Sequence, residues 1–334
     1  MSTPNAARMR ALRFDGTALA IDAKCEAPAP APGLAIVRPT RVALSDADAD
    51  AVRRGAALPT PFTPGTEFVG VVERLHETAD KAERDRFVGK RVVGSPIIVC
   101  GACDLCKAGL STHCRARRVL GRAGWNGALA ERFALPTRNL SPVPPGVDDD
   151  RAVFAVALAA AVHAGQVVRV EGKPYVTVLG DTVEGLLTAQ VMARLNASVR
   201  VLGSRPDRLA LCEKWAGGVK HRPIDEAGRR QDQDVVVECS GTPAGFAAAL
   251  KFVRPRGTIV LVRAIGGADL APAVENEITL VGSRAGPIPE ALALLARSAV
   301  EVLGLIGRRY RFADAPAAMA AAGEPAALRT IVEP

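Results

Sequence analysis

Four cysteines, Cys100, Cys103, Cys106 and Cys114, fall within fifteen consecutive residues of this 334-residue chain. No other local feature restricts the backbone as strongly. The spacing, Cys-x2-Cys-x2-Cys-x7-Cys, supplies four thiolates from one loop, which suits tetrahedral zinc and closes its shell to water, so the predicted ion is structural. Binding of such an ion contributes about 10–16 kcal/mol and orders a loop with little core of its own. Gly101 and Gly109 give the loop the backbone freedom it needs. Two alternatives stay open: four unmetallated thiols, and an iron–sulfur cluster, which uses the same ligands but is disfavoured by the lack of a proline after Cys114. Clustering in a reducing compartment points to metal rather than disulfides. The dispersed cysteines, Cys25, Cys212 and Cys239, read as small core residues.

The chain is long enough for two domains of roughly 150 residues. Its hydrophobic fraction, 49%, lets it bury large cores without disulfides. The net charge is +8, but the basic residues are scattered and their densest groups, 115–118 and Arg229-Arg230, are short. Aromatic residues make up 4%, too few for a base-stacking platform, so nucleic acid is excluded as a partner. A solvated basic surface suits small anionic molecules instead. No apolar run approaches the ~20 residues of a membrane span. The longest candidate, 152–164, is mostly alanine and is interrupted by His163. Residues 1–10 contain no signal-peptide core, so a cytoplasmic protein without a membrane partner is predicted.

Residues 1–150 are rich in Pro and Gly and contain short β-branched runs at 35–37, 68–72 and 91–93. That pattern predicts an all-β domain. The stretch 141–147, Ser-Pro-Val-Pro-Pro-Gly-Val, reads as a linker. The pattern then changes. Strands are predicted at 176–179, 199–202, 234–238, 257–262 and 278–281, with helices at 184–195 and 206–215. Alternating strands and helices imply a parallel sheet covered on both faces, here over 151–295. Residues 296–334 form a C-terminal segment with a late strand at 328–332.

The turn Gly180-Asp181-Thr182-Val183-Glu184-Gly185 follows a predicted strand and opens a helix. It keeps the first and third glycines of the dinucleotide fingerprint, while Thr182 replaces the second, which lets the backbone approach the pyrophosphate. A β-branched residue there either crowds the cofactor or lends its hydroxyl to a phosphate. Val183 and the helix N-terminus still offer N–H groups to an anion. The next strand ends at Gly203-Ser204-Arg205, with Arg208 nearby and no carboxylate to accept from a ribose 2′-hydroxyl. A guanidinium attracts a 2′-phosphate, so Ser204 and Arg205 indicate NADP(H) over NAD(H). A solvated loop arginine is the competing reading. Cys239, at the end of another sheet strand, is expected to line the cofactor cleft without reacting.

Together with 9–14 (Met-Arg-Ala-Leu-Arg-Phe), 64–72 (Pro-Gly-Thr-Glu-Phe-Val-Gly-Val-Val), 127–131 (Gly-Ala-Leu-Ala-Glu) and 237–241 (Val-Glu-Cys-Ser-Gly), these features resemble the zinc-containing medium-chain dehydrogenase/reductase superfamily. The likeness runs from about residue 9 to 334 and is strongest to the sorbitol- and threonine-dehydrogenase-like branch. The resemblance implies an α/β chain. A GroES-like β-rich catalytic domain would cover 1–150, with a structural-zinc loop at 99–115. A Rossmann doubly wound parallel sheet would cover 151–295, and 296–334 would return to the catalytic domain. It also implies an active site between the domains, hydride exchange between nicotinamide and an alcohol or carbonyl, and homodimers or homotetramers.

In that superfamily a second zinc polarises the substrate oxygen, and its ligands lie on three motifs. Cys-x-x-Asp reads here as Ser45-Asp46-Ala47-Asp48, and the hydroxyl of the usual proton relay has become Ala47. Gly-His-Glu reads as Gly65-Thr66-Glu67. The Glu or Cys ligand of the third motif is replaced within 156–160, Val-Ala-Leu-Ala-Ala. Hydroxyls and an isopropyl group do not replace thiolate, imidazole and carboxylate around zinc. The catalytic zinc is therefore expected to be lost. Ser45 and Thr66 become the candidate hydrogen-bond donors to the substrate oxygen. His163, on one helical face with Val156 and Ala160, is the candidate proton donor, against a purely structural histidine. Asp46, Asp48 and Glu67 offer a site for a harder cation, against the ordinary reading of exposed or salt-bridged acids. The expected activity is zinc-free NAD(P)-dependent oxidoreduction of a small alcohol or carbonyl. The alternatives are a cofactor- or partner-binding pseudoenzyme and an ordinary zinc dehydrogenase with unrecognised ligands.

Overall fold

The computed structural model describes residues 7–334 apart from 55–59, 123, 169–171, 216–218, 229 and 326, so Arg229 of the basic pair Arg229-Arg230 lies outside the described residues. The chain divides into two compact units, Met1–Val156 with Leu305–Pro334, and Ala157–Gly304. Among the described residues no helix is long and apolar enough to cross a membrane.

The first unit is built on a seven-stranded sheet. Its main path runs Ile306–Arg311, Arg329–Glu333, Leu34–Leu44, Glu67–Leu75, Arg91–Gly94, Leu140–Pro142, with Phe133–Pro136 also paired to Leu34–Leu44. Alternation, shifted by one residue at a bulge between Pro39 and Arg41, places Val37, Val42, Leu44, Phe68, Val72, Val92, Leu135 and Val332 in one core. Phe68 and Phe133 meet edge-on with ring centroids 4.7 Å apart. The stretch expected to be a linker contributes a strand instead. Leu140–Pro142 pairs with Arg91–Gly94 at the edge of the sheet, where a proline's missing N–H costs no ladder bond.

The second unit holds six parallel strands in the order Lys220–Pro223, Ser198–Gly203, Tyr175–Leu179, Gln233–Glu238, Val253–Leu261, Thr279–Gly282. Counted within the unit this is 3-2-1-4-5-6, the doubly wound order, whose switch point lies between the first and fourth strands. The central strands are apolar on both faces, with Val176, Val178, Val236 and Val237 wholly buried, as a sheet covered on both sides requires. The predicted helix at 184–195 is Val183–Ala193. The predicted helix at 206–215 is corrected: a single α-turn, Pro206–Leu209, gives way to a 3-10 helix, Ala210–Lys214. Leu209, Cys212 and Trp215 are all buried, and a burial period of three matches 3-10 geometry rather than 3.6-residue turns.

Candidate functional site

The four loop sulfurs all lie within 4.8 Å of one another. The separations are 3.5 Å for Cys103–Cys106, 3.9 Å for Cys103–Cys114 and 3.5 Å for Cys100–Cys114. A tetrahedral ion with Zn–S bonds of about 2.3 Å needs sulfurs ~3.8 Å apart, so the donor set fits zinc as it stands. Backbone N–H groups of Ala102 and Cys103 point at the Cys100 sulfur, both at 3.4 Å, and lower its pKa. The Arg115 and Cys106 amides likewise lower Cys103 to about 6. Preformed amide donors of this kind favour the thiolate at Cys100 and Cys103, whereas burial and the Cys103 sulfur push Cys106 up to about 12. Gly101 and Gly109 sit at φ +75° and +77°, conformations that side-chain-bearing residues adopt only with strain. Among the described residues these cysteines are the only group of three or more potential metal ligands found to converge.

Ser45 caps the helix Asp46–Arg53, and Asp48 on its first turn is wholly buried. The Asp48 carboxylate gathers three hydrogen bonds. Its Oδ2 accepts from the Ser45 amide at 3.0 Å and from Ser45 Oγ at 2.9 Å, and its Oδ1 accepts from Thr66 Oγ1 at 2.9 Å. The structure therefore joins the two predicted residues through a third that the sequence reading gave a different role. It also changes their chemistry. A hydroxyl has one hydrogen, and both hydrogens are committed to Asp48, so Ser45 and Thr66 present lone pairs rather than donors.

The acidic trio does not converge on a cation. Asp48 is occupied as described, and Glu67 is clamped by Arg329, whose Nε and Nη2 reach its two oxygens at 2.8 and 3.0 Å in a buried pair. Thr66 is placed by unusually close backbone packing. Gly65 has φ +105°, and a Cβ on Gly127 would lie 2.5 Å from the Gly65 carbonyl oxygen. That approach lets Gly127, Ala128 and Leu129 donate to Thr63, Gly65 and Pro64 at 2.7, 3.0 and 3.1 Å. The motifs at 64–72 and 127–131 are thus two sides of one contact.

In the second unit, Gly180 (φ +106°) turns the chain off the first strand, and a Cβ there would lie 2.9 Å from the Ser240 amide. A Cβ on Gly185 would lie 2.1 Å from the Gly180 carbonyl oxygen, so both surviving glycines are needed for close packing. Thr182 turns its side chain back on the fold. Its Oγ1 accepts from the Gly185 amide at 3.1 Å and donates to the Cys239 carbonyl at 3.3 Å. It caps the helix rather than reaching for a phosphate. Thr242 repeats the device on the other side of the switch point, capping Pro243–Phe252 through the Gly245 amide at 3.0 Å. The Val183 side chain is buried, leaving its amide at the helix end for an anion. Cys239 does not line a cleft: its side chain is fully buried against Gly185, and burial raises its thiol well above the ordinary value. The turn fits a pyrophosphate through its amides, with Glu184 and Arg263 facing each other at 3.7 Å beside it.

At the end of the second strand, the Ser204 and Arg205 amides both donate to Asp181 Oδ2, at 2.8 and 2.7 Å. Ser204 is exposed and Arg205 half-buried. Arg208 is buried beneath them; burial and the Arg205 charge lower its pKa, while Asp207 and Asp181 hold it up. Sequence reasoning missed Asp181 because its contacts are to residues 23 and 24 positions further along the chain. It also missed the role of Asp48, although a Ser-x-x-Asp spacing before a helix is a visible capping signal.

His163 belongs to the second unit, half-buried on the helix Ala155–Gln166, with Nδ1 2.8 Å from Ser283 Oγ. A Cβ on Gly286 would lie 2.9 Å from its Cβ, so the histidine anchors a closely packed segment. That geometry gives His163 an anchoring role.

The sequence pattern of the alcohol dehydrogenase GroES-like domain matches residues 31–145, and that of the zinc-binding dehydrogenase domain matches 185–297. Over 289 residues the chain is 28% identical to 2-dehydro-3-deoxy-L-galactonate 5-dehydrogenase of Pseudoalteromonas atlantica, covering 82% of this chain and 83% of that protein. It is 33% identical over 196 residues to L-threonine 3-dehydrogenase of Mesorhizobium japonicum, covering 58% of this chain and 54% of that protein. Its fold superimposes on an alcohol dehydrogenase from Thermus sp. ATN1 with a TM-score of 0.82 at 26% identity, covering 97% and 99% of the two chains. A zinc-binding dehydrogenase of Sinorhizobium meliloti 1021 bound to NADP gives a TM-score of 0.87 at 24% identity, covering 98% and 100%.

Proposed function

The chain belongs to the zinc-binding, alcohol dehydrogenase-like family of medium-chain dehydrogenases/reductases, and from that we propose an oxidoreductase that interconverts a small alcohol and its carbonyl without a catalytic zinc. Its relatives are named as dehydrogenases of threonine and of a sugar acid. A bound nicotinamide dinucleotide supplies the hydride acceptor or donor. NADP(H) is the proposed form, through Arg205, and one structural zinc is assigned to Cys100, Cys103, Cys106 and Cys114. A cytoplasmic location, and the homodimer or homotetramer that the resemblance implies, are part of the proposal.

The observation that carries the zinc-free reading is the convergence of Ser45, Thr66 and the Ser45 amide on buried Asp48. A substrate hydroxyl donates its hydrogen bond to a lone pair on Ser45 or Thr66. As the carbon loses hydride, the hydroxyl proton passes to Oγ, and the proton already on Oγ passes to Asp48. Charge never rests on an isolated substrate oxygen, so no Lewis acid is required. In the reductive direction a protonated Asp48 returns the proton by the same hydroxyls. This assigns Ser45 and Thr66 the part of acceptors, in place of the oxyanion donors expected from sequence.

Metal analysis and nucleotide titration test the reading together. One zinc per chain and saturable quenching of NADPH fluorescence are expected. Two zincs per chain, the second lost on Ser45→Ala, would replace the proposal with an ordinary zinc dehydrogenase. No response at millimolar NADPH or NADH would remove the oxidoreductase altogether.

A further inference from the structure

The second strand ends without an acid, and on sequence that absence selects NADP(H). The structure supplies the acid from elsewhere. Asp181, on the glycine-rich turn after the first strand, reaches across to the end of the second, and its Oδ2 holds the Ser204 and Arg205 amides at 2.8 and 2.7 Å. The residue is 8% exposed. A Cβ on Gly203 would lie 2.6 Å from Oδ2, so this strand end is a glycine because the carboxylate fills the space a side chain would take. The other oxygen, Oδ1, accepts no hydrogen bond from any described residue and is not sealed in the core.

In a sheet of this strand order the adenosine ribose lies beyond the C-terminal end of the second strand. A carboxylate held there by two amides accepts from a ribose 2′-hydroxyl. It repels a 2′-phosphate and takes up two amides that would otherwise bind one. Arg205 acts in the opposite sense.

Resting on the oxidoreductase reading above, we propose that Asp181 is a specificity-determining residue which offsets Arg205 and admits NAD(H) alongside NADP(H). The second-strand carboxylate of an NAD site is present in space although absent from its usual place in the sequence.

Equilibrium binding of NADH and NADPH, followed by nucleotide fluorescence and by calorimetry, tests this without a substrate. Wild type is expected to bind both with dissociation constants within about tenfold of each other. Asp181→Asn keeps an acceptor for the two amides, so the turn stays folded, and it removes the charge. It is expected to shift the NADH:NADPH preference at least about tenfold toward NADPH, a change of ~1.4 kcal/mol, and the shift should shrink in high salt. Arg205→Ala should move the same ratio the other way. An unchanged ratio in Asp181→Asn, or a shift toward NADH, overturns the inference and leaves the oxidoreductase reading standing. Failure of wild type and both variants to bind either nucleotide overturns both.

Discussion

Thr66 gives its only hydroxyl hydrogen to Oδ1 of the wholly buried Asp48, 2.9 Å away and eighteen residues off in sequence. This bond completes the triad through which the proposed proton path runs.

Thr66→Val keeps the shape and removes the bond. If the proton travels through Thr66, turnover of the best alcohol in a substrate panel falls by ~10²–10⁴, and the solvent isotope effect on the remaining rate disappears. Ser45→Ala makes the same test of the other arm. Asp48→Asn should abolish turnover through either arm while nucleotide binding persists. Full activity in all three variants would end the relay.

Ser45→Cys, Thr66→His and Val156→Glu together restore the donor types of a catalytic zinc, with Asp48 already in place to hold an introduced imidazole. Metal analysis should then find two zincs per chain instead of one. No gain of metal would show that these positions do not converge as the family's motifs imply.

The Glu67–Arg329 pair is buried on both sides, so removing one partner takes a two-point counter-charge away from a buried ion. Glu67→Gln or Arg329→Met is expected to cost about 3–5 kcal/mol, read as a lower urea midpoint. Replacing both together, Glu67→Leu with Arg329→Met, should recover much of the loss.

Cys106→Ser should release the structural zinc, lower the melting temperature and open residues 99–115 to proteolysis, because thiolate ligation orders that segment. Retention of zinc at one per chain would point to another site.

Asp150 is held below its ordinary 3.8 first by hydrogen bonding to Arg309, then to Arg41, against the opposing effect of partial burial. A carboxylate lowered in the folded state stabilises fully above its unfolded value and loses that contribution as pH falls through the folded value. Stability should therefore decline on acidification below about pH 4, and less steeply in Asp150→Asn. Urea midpoints between pH 2 and 6 measure it.

The parallel sheet was legible because its strands are continuous apolar runs separated by helical segments, and the zinc loop because four ligands share one stretch. Leu140–Pro142 was not, since two prolines nearby imitate a linker and only the neighbouring strand makes it one. The short helix after Pro206 failed for a related reason: Leu209, Cys212 and Trp215 obey a period of three that a helical reading passes over. In the site, Ser45 and Thr66 were found by position, but the direction of their hydrogen bonds depends on Asp48. Asp181 carried no local signal, because its partners belong to another strand.

The strand Arg329–Glu333 lies between Ile306–Arg311 and Leu34–Leu44, and it brings the arginine that neutralises Glu67. During synthesis it leaves the ribosome only after all of Ala157–Gly304 has emerged. The second unit, contiguous in sequence, is free to fold as soon as it is made, whereas the first must wait with an open edge at Val42–Leu44 and with Glu67 still lacking Arg329. Substitutions that slow or destabilise the late strand therefore act on the half-made chain, as lost soluble yield, before they act on the finished protein.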